Sequence, residues 1–258
     1  MGDRPQKVSD SFLIGAALSA SKGVHAFVWL RHASRTAGRT MPRKLLVRSN
    51  HFPYHVTARC NNREPFPCTL REVWKTLTNL SLEAHMLYGA RTHGLVLMSN
   101  HFHLLMTTPR EDIGVVMKRF LESGTKTLNL ISGRSGRIFG SRYHWSLVNS
   151  ARYFRQVLKY VYRNPVRAGV CERVEDYEFS TLQGLLGRSR LEMPLYFPFN
   201  EVGFVGLPEE PIDQIDWFNQ PFRKEVEVAI KSGLKQTEFG PMRQGWNRTI
   251  AELLEPEL

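Results

Sequence analysis

The chain has 258 residues, of which 42% are hydrophobic, and a formal net charge of +11. This length and composition indicate a globular protein with one buried core and appended segments. Three cysteines without a CxxC spacing exclude a disulfide-rich scaffold and give no zinc motif, and no stretch has the roughly 20 apolar residues of a membrane span. We therefore expect a cytoplasmic protein that does not enter a membrane.

Basic residues are concentrated at the start and in the centre of the sequence. Residues 1–48 contain nine Lys and Arg against two acidic residues, and residues 101–190 contain fifteen against seven. Residues 191–258 reverse the balance, with six basic against twelve acidic residues. A basic centre favours a polyanionic ligand such as nucleic acid, although a soluble basic protein without such a ligand has the same composition.

Composition divides the chain into three regions. Residues 1–40 are rich in small residues, Arg and Ser without a helical or strand period, whereas Met41 opens MPRKLLVRSN like a natural start. We expect a mobile extension or an upstream start-site artefact at residues 1–40, and the folded domain at residues 41–189. Residues 190–258 are predicted to be a Pro-rich, acidic extension with one helix at residues 222–239.

The first predicted elements are a strand, a helix and two further strands. Alternation of apolar and polar residues in YHVTARC, from residue 54 to residue 60, predicts a half-buried strand that the turn-prone Asn61-Asn62 ends. Two apolar runs, residues 90–100 and 101–109, predict adjacent strands. A helix is predicted between the first strand and these two strands, with Thr69 as its N-cap and Gly89 at its end. The predicted buried side of this helix is Leu70, Val73, Trp74, Leu77, Leu80 and Leu87.

A second helix, a fourth strand and a third helix follow. Acidic residues stabilise a helix N-terminus, so Glu111 and Asp112 mark the start of the second helix. The Gly-, Ser- and Arg-rich segment 132–150 ends in a strand, and Ser150 caps the third helix. Asn164-Pro165 ends that helix, because a residue before proline avoids the helical region. The predicted buried side of the second helix is Val115, Val116, Phe120 and Leu128.

This order of elements predicts an α+β fold. Strand, helix, strand, strand, helix, strand and helix correspond to a ferredoxin-like split βαβ core. We expect an antiparallel sheet with the helices packed on one face. The opposite face of such a sheet is available to a ligand.

The motif His101-Phe102-His103 is the first candidate for chemistry. On a strand, side chains two residues apart point to the same face, so both imidazoles project side by side while Phe102 points to the other layer. Two parallel imidazoles make half of a divalent-metal site. Two histidines on a solvated sheet face remain the alternative that the tripeptide alone leaves open.

The third helix supplies two further candidate groups. Its apolar stripe consists of Phe154, Val157, Leu158 and Val161. At about 100° per residue, Tyr160 and Asn164 are only about 40° apart on one flank of that stripe, whereas Tyr162 lies about 160° from Asn164. If this helix packs beside the strand of the histidines, Tyr160 and Asn164 reach the same region.

These groups together predict phosphodiester chemistry. A tyrosine hydroxyl can attack a phosphodiester as a covalent nucleophile. A divalent ion bound by His101, His103 and an amide oxygen polarises the scissile phosphate and keeps positions open for phosphate oxygens and water. Two imidazoles favour Mn²⁺ and do not exclude Mg²⁺, so we expect Mg²⁺ or Mn²⁺ as the cofactor.

The motifs NHFHLL and YVYRNPVRAG resemble those of the HUH single-tyrosine transposases, in particular the REP-associated tyrosine transposase branch. YHVTARCNNRE, GSRYHWSLVNS and EFSTL add to the resemblance, which covers roughly residues 41–185. The resemblance implies His101, His103 and Asn164 as metal ligands and Tyr160 as the nucleophile. It also implies cleavage and joining of single-stranded DNA near hairpins through a 5′-phosphotyrosine, in a bacterial protein that associates with the nucleoid when bound to DNA.

Basic and aromatic side chains of the same region are expected to bind the nucleic acid. The resemblance implies single-stranded or hairpin DNA as the partner, and a monomer or a homodimer, since relatives of both kinds exist. Two alternatives stay open: a non-catalytic, domesticated protein that binds hairpin DNA or RNA, and a two-histidine metal hydrolase that acts through water. The predicted nucleic-acid-binding residues are Arg59, Arg63, Lys118, Arg119, Lys126, Arg137, Arg142, Tyr143, His144, Arg163 and Arg167.

Overall fold

The computed structural model describes residues 46–196 and 207–239. The extension predicted at residues 1–40 lies outside this part of the chain. The described strands are β1 (Tyr54–Arg59), β2 (Arg91–Leu97), β3 (His101–Thr107), β4 (His144–Val148) and β5 (Glu238–Phe239). The described α-helices are α1 (Leu70–Tyr88), α2 (Ile113–Ser132), α3 (Ala151–Tyr162), α4 (Asn164–Arg167), α5 (Leu182–Leu185), α6 (Pro211–Asn219) and α7 (Lys224–Gly233).

The five strands form one sheet in the order β2-β3-β1-β4-β5. β1 pairs antiparallel with β3 and with β4, and β2 pairs antiparallel with β3. The chain order β1-α1-β2-β3-α2-β4 within this sheet confirms the predicted ferredoxin-like split βαβ core. β5 was not predicted, and it pairs parallel with β4, so the complete sheet is mixed rather than antiparallel.

Local sequence signals fix the ends of α1 and α2. Thr69 and Glu72 form a reciprocal capping box at the start of α1, and Gly89 ends the helix in the left-handed region with φ of 65°. The Asp112 side chain accepts a hydrogen bond from the N–H of Gly114 and so caps α2. The predicted starts of both helices are therefore confirmed.

Two residues predicted to be buried on these helices are exposed. Leu87 is 59% exposed, because it lies in the last turn of α1, beyond Ala84, the last buried residue of that helix. Val115 is 45% exposed. It lies about 200° around the helix from Met117, which is fully buried and occupies the core side of α2 instead.

The sheet has helices on both faces, which corrects the expectation of helices on one face only. On the first face, α1 and α2 pack over buried side chains of the strands such as Val56, Phe102 and Leu104. On the second face, α3 packs over Val96 and Leu105. The physical reason is that this second face is apolar along β2 and at the end of β3, so it must be covered as well. It carries polar side chains chiefly along β1 and at the start of β3.

The described part of the C-terminal extension belongs to the same core. Phe218 of α6, Ile230 of α7 and Phe239 of β5 are fully buried with the side chains of α3. The helix predicted at residues 222–239 is shorter, because it ends at Gly233 and the chain then enters β5. The extension therefore forms an outer layer over α3. None of the helices in the described ranges is long and apolar enough to cross a membrane.

Candidate active site

Three imidazoles form a row on the second face of the sheet. His101 and His103 of β3 have ring centroids 5.1 Å apart, as their spacing on one strand predicts. His55 of β1 lies on the other side of His103, with ring centroids 5.2 Å apart and the planes 23° from parallel. His55 and His103 are buried, whereas His101 is partly exposed at the start of β3.

The Nδ1 atoms of both β3 histidines have hydrogen-bond partners. Nδ1 of His103 lies 3.0 Å from Nε2 of His55, and Nδ1 of His101 lies 2.8 Å from Oδ1 of Asn100. Asn100 is itself held, because its amide donates to the carbonyl oxygen of Arg63 at 2.7 Å. These contacts leave Nε2 as the atom through which each β3 imidazole can reach an ion.

Burial keeps these imidazoles neutral. Burial is the main cause that lowers the pKa of His101 to about 4, and the nearby guanidinium groups of Arg59 and Arg167 contribute to the same shift. Burial also holds the pKa of His103 well below its ordinary value, and the neighbouring His55 and His101 rings lower this pKa as well. The neutral form is the one that binds a cation, so both rings have the protonation state that a metal site needs.

Tyr160 is the tyrosine of α3 that faces the histidines. Its ring centroid lies 6.3 Å from that of His103, with the two planes nearly perpendicular. The guanidinium of Arg167 lies over the Tyr160 ring, 4.7 Å from its centroid. Tyr162 lies on the other flank of α3, where its hydroxyl hydrogen-bonds to Thr181 at 2.9 Å. Burial raises the pKa of that phenol, so Tyr162 is a packing residue.

Asn164 lies one turn beyond Tyr160 and is buried. Its amide nitrogen donates to the backbone carbonyl oxygens of Tyr160 and Val161, at 2.9 and 3.2 Å. Its Oδ1 accepts a hydrogen bond from Arg167 at 2.6 Å. The side chain therefore turns its oxygen, the atom that can bind a cation, away from the helix and towards Arg167.

The donor set suits a divalent cation. Among the described residues, no group of three or more His, Cys, Asp or Glu side chains is arranged to hold a metal ion. Two neutral imidazoles with oriented Nε2 atoms and a nearby amide oxygen are nevertheless suitable neutral ligands for Mn²⁺ or Mg²⁺, with phosphate oxygens to complete the coordination. Arg167 occupies one of the two lone pairs of the Asn164 oxygen, so a cation at this oxygen would lie close to a guanidinium.

The predicted nucleic-acid-binding residues do not form one surface. Arg59 projects from β1 opposite His101 in the strand register, and it is exposed. Lys118 and Lys126 are also exposed but lie on α2, in the layer on the opposite face of the sheet. Three more exposed positions are in the segments that flank the sheet ends, namely Arg63, Arg137 and Arg142.

Some of these side chains have structural partners. Arg119 on α2 forms an ion pair with Glu83 of α1 at 2.9 Å. Tyr143 is half-buried against the core of the first face, and burial raises its pKa. His144 is exposed and contributes to the low pKa of His55. The guanidinium of Arg163 donates to the carbonyl oxygens of Phe218 and Asn219 and so attaches α6 to the end of α3.

His55 and Asn100 are the two site residues that sequence reasoning did not select. The alternation of β1 puts His55 on the same face as Thr57 and Arg59, so its face was predictable. Its contact with His103 depends on the register between β1 and β3, in which His55 pairs with Leu105 and Thr57 with His103. Asn100 directly precedes His101, which was the one available signal for its role.

The solved structures that are similar to this chain include two transposases, whereas no family model and no curated protein matches it. One is a REP-associated tyrosine transposase bound to a REP hairpin, at 17% identity and a TM-score of 0.48, with 66% of this chain and 100% of that chain covered. The other is a candidate transposase from Deinococcus radiodurans R1, at 18% identity and a TM-score of 0.33, with 46% of this chain and 95% of that chain covered.

Proposed function

We propose that this protein is a metal-dependent endonuclease and strand transferase that cuts and rejoins single-stranded DNA beside hairpins through a 5′-phosphotyrosine. The observation that carries this proposal is the position of Tyr160, whose ring contacts His103 on the strand face that also bears His101. A phenol beside two neutral imidazoles and a guanidinium is arranged for nucleophilic attack on a phosphodiester.

Tyr160 is the nucleophile in this proposal. Its hydroxyl oxygen attacks the phosphorus, the bond from phosphorus to the 3′ oxygen breaks, and the proton of the phenol ends on the released 3′-hydroxyl. The 5′ phosphate then remains on the tyrosine. A 3′-hydroxyl that attacks this phosphotyrosine forms a new phosphodiester and returns the phenol, so joining needs no separate energy source.

His101, His103 and Asn164 would hold the cation. A bound divalent ion supplies positive charge at the scissile phosphate. The chain holds the His101 ring through Asn100, and it contributes a second positive charge through Arg167 above the Tyr160 ring. Arg167 is therefore suited to stabilise the negative charge that develops on the phosphate oxygens.

In this proposal the site forms within one chain, since the ring of Tyr160 lies beside that of His103 of the same chain. The resemblance of the motifs to REP-associated transposases favours a hairpin as the DNA partner. Exposed basic residues beside the imidazoles, such as Arg59, would contact the strand that enters the site.

The test is formation of a covalent protein–DNA adduct. Labelled single-stranded DNA with a hairpin, drawn from palindromes that flank the gene, is incubated with the protein and Mn²⁺ or Mg²⁺. We expect an adduct that survives denaturation, that Tyr160→Phe abolishes and that Tyr162→Phe retains. Tyr162→Phe is the matched control, because it removes the same hydroxyl two residues away on the buried flank of α3.

The other outcomes separate the alternatives. Binding of the hairpin by the wild type without any adduct would mean a non-catalytic DNA-binding protein. Cleavage that persists in Tyr160→Phe without an adduct would mean a hydrolase that uses water. An adduct that persists in Tyr160→Phe and disappears in Tyr162→Phe would reassign the nucleophile.

A further inference from the structure

We propose that His55 is a positioning residue that fixes the tautomer and the orientation of His103. This inference rests on the proposed function, since it concerns the imidazole assigned to the metal. It extends that function to a residue on another strand, which would contact neither the metal nor the DNA.

The geometry of the pair is the first step of the argument. Nε2 of His55 lies 3.0 Å from Nδ1 of His103, which is a hydrogen-bond distance, so one of these nitrogens carries the proton and the other accepts it. For Nε2 of His103 to bind a cation, it must have a lone pair, and Nδ1 of the same ring must then carry the proton. His103 is therefore the donor and His55 the acceptor in a metal-binding state.

Because both rings are buried, the contact with His55 can decide which nitrogen of His103 carries the proton. His55 is 5% exposed and His103 is 6% exposed. Water therefore does not substitute easily for a missing acceptor at Nδ1 of His103, and a neutral imidazole that lacks it can instead protonate Nε2. Removal of His55 as an acceptor would thus favour the tautomer of His103 that cannot bind a metal.

A purely structural role is the competing explanation. The two rings stack with centroids 5.2 Å apart, and a stacked pair can simply fill space. His55→Phe distinguishes these roles, because phenylalanine keeps a ring of similar shape and removes the acceptor. His55→Gln restores an acceptor oxygen without a ring. His93→Gln is the matched control, since His93 is equally buried in the same sheet but hydrogen-bonds to Thr107 and to the carbonyl oxygen of Tyr196.

The experiment uses two measurements on the full chain. Mn²⁺ binding is titrated by electron paramagnetic resonance without DNA, and the tautomer of His103 in the metal-free protein is read from the ¹⁵N chemical shifts of its ring. We expect His55→Phe to weaken Mn²⁺ binding about 10- to 100-fold, the usual effect of removing an orienting partner of a metal ligand. We also expect the proton of His103 to shift towards Nε2, His55→Gln to recover most of the Mn²⁺ affinity and His93→Gln to leave it unchanged.

Failure of this inference is distinguishable from failure of the proposed function. Unchanged Mn²⁺ affinity together with an unchanged His103 tautomer in folded His55→Phe would overturn the positioning role. If the wild type binds no Mn²⁺ at all, the metal site of the proposed function fails. In that case the ring shifts still decide whether His55 sets the tautomer of His103. Thermal melting of each variant establishes that it is folded. A shift of the His103 proton towards Nε2 in His93→Gln as well would count against a specific role of His55.

Discussion

Arg167 donates a hydrogen bond to Oδ1 of Asn164 at 2.6 Å, while its guanidinium lies over the ring of Tyr160. One arginine therefore engages both the proposed third metal ligand and the proposed nucleophile. Its third contact is an ion pair with Glu227 of α7 at 3.4 Å, in the C-terminal extension. A cation that binds to Asn164 competes with Arg167 for the same oxygen, and Glu227 offers the displaced guanidinium an alternative partner.

We predict opposite effects of Arg167→Ala on metal binding and on catalysis. Removal of a competing donor and of a nearby positive charge should tighten Mn²⁺ binding several-fold. The rate of adduct formation should fall by about 10²-fold or more, because a donor to the transition-state phosphate is lost. Mn²⁺ titration and single-turnover adduct kinetics measure the two effects. Arg173→Ala is the control, since Arg173 is exposed and pairs with Glu175 away from Tyr160. Parallel losses of metal affinity and rate would argue against competition.

A second prediction concerns the attachment of the C-terminal extension. Ile215 and Ile212 lie in the same helix, α6, but Ile215 is 2% exposed and Ile212 is 61% exposed. Ile215→Ala should lower the free energy of unfolding by about 2–4 kcal/mol, because it leaves a cavity against α3. Ile212→Ala should change it by less than about 0.5 kcal/mol. Urea denaturation measures both, and equal effects would mean that α6 does not pack on the core as described.

DNA affinity should depend on the face of the sheet from which a basic residue projects. Arg59 lies opposite His101 on the second face, whereas Lys118 lies on α2 in the layer on the first face. Arg59→Ala should weaken hairpin binding and reduce the slope of log K against log salt by about 1, as for loss of one phosphate contact. Lys118→Ala should leave both quantities unchanged. Fluorescence anisotropy over a salt series provides the measurement. Weaker binding by Lys118→Ala with unchanged binding by Arg59→Ala would mean that the DNA contacts the layer of α1 and α2 instead.

Stability should decrease as the pH falls towards the pKa of the buried histidines. Burial lowers the pKa of His93 to about 4 from its ordinary value of 6.5. Between these two values the unfolded chain binds a proton that the folded chain does not. The stability due to neutral His93 is therefore complete above about pH 6.5 and is lost as the pH falls towards 4.

His93→Gln should reduce this pH dependence. Between pH 7 and pH 5, the wild type should lose about 2 kcal/mol more of its free energy of unfolding than the variant does. His51→Gln is the control, because His51 is exposed. Urea denaturation at both pH values provides the measurement. A wild type and a His93→Gln variant with the same pH dependence would show that this ring is not held neutral by the fold.

Local patterns predicted the parts of the site that depend on one element. The period of a strand put His101 and His103 on one face, and the period of a helix separated Tyr160 from Tyr162. The contact between the side chains of His55 and His103 was not predictable, because it depends on the register of two strands that are far apart in sequence.

Contacts with the C-terminal extension were also beyond local patterns. The motif YVYRNPVRAG predicts Arg163 to be an exposed basic residue, yet its guanidinium donates hydrogen bonds to backbone carbonyl oxygens of α6. β5 has only two residues, so the sequence contains no alternation of apolar and polar residues that could predict this strand. Its place in the sheet follows from its pairing with β4. Such contacts join residues that are far apart in sequence, so a local pattern cannot predict them.

The outer layer over α3 has a consequence for synthesis of the protein. α6, α7 and β5 leave the ribosome long after β1 to β4 and α3, yet Phe218 and Phe239 bury part of α3. Until they emerge, the nascent chain exposes apolar surface on α3, and the last contacts to form join residues that are distant in sequence. The helix that bears Tyr160 thus reaches its final packing only after residue 239 has been translated.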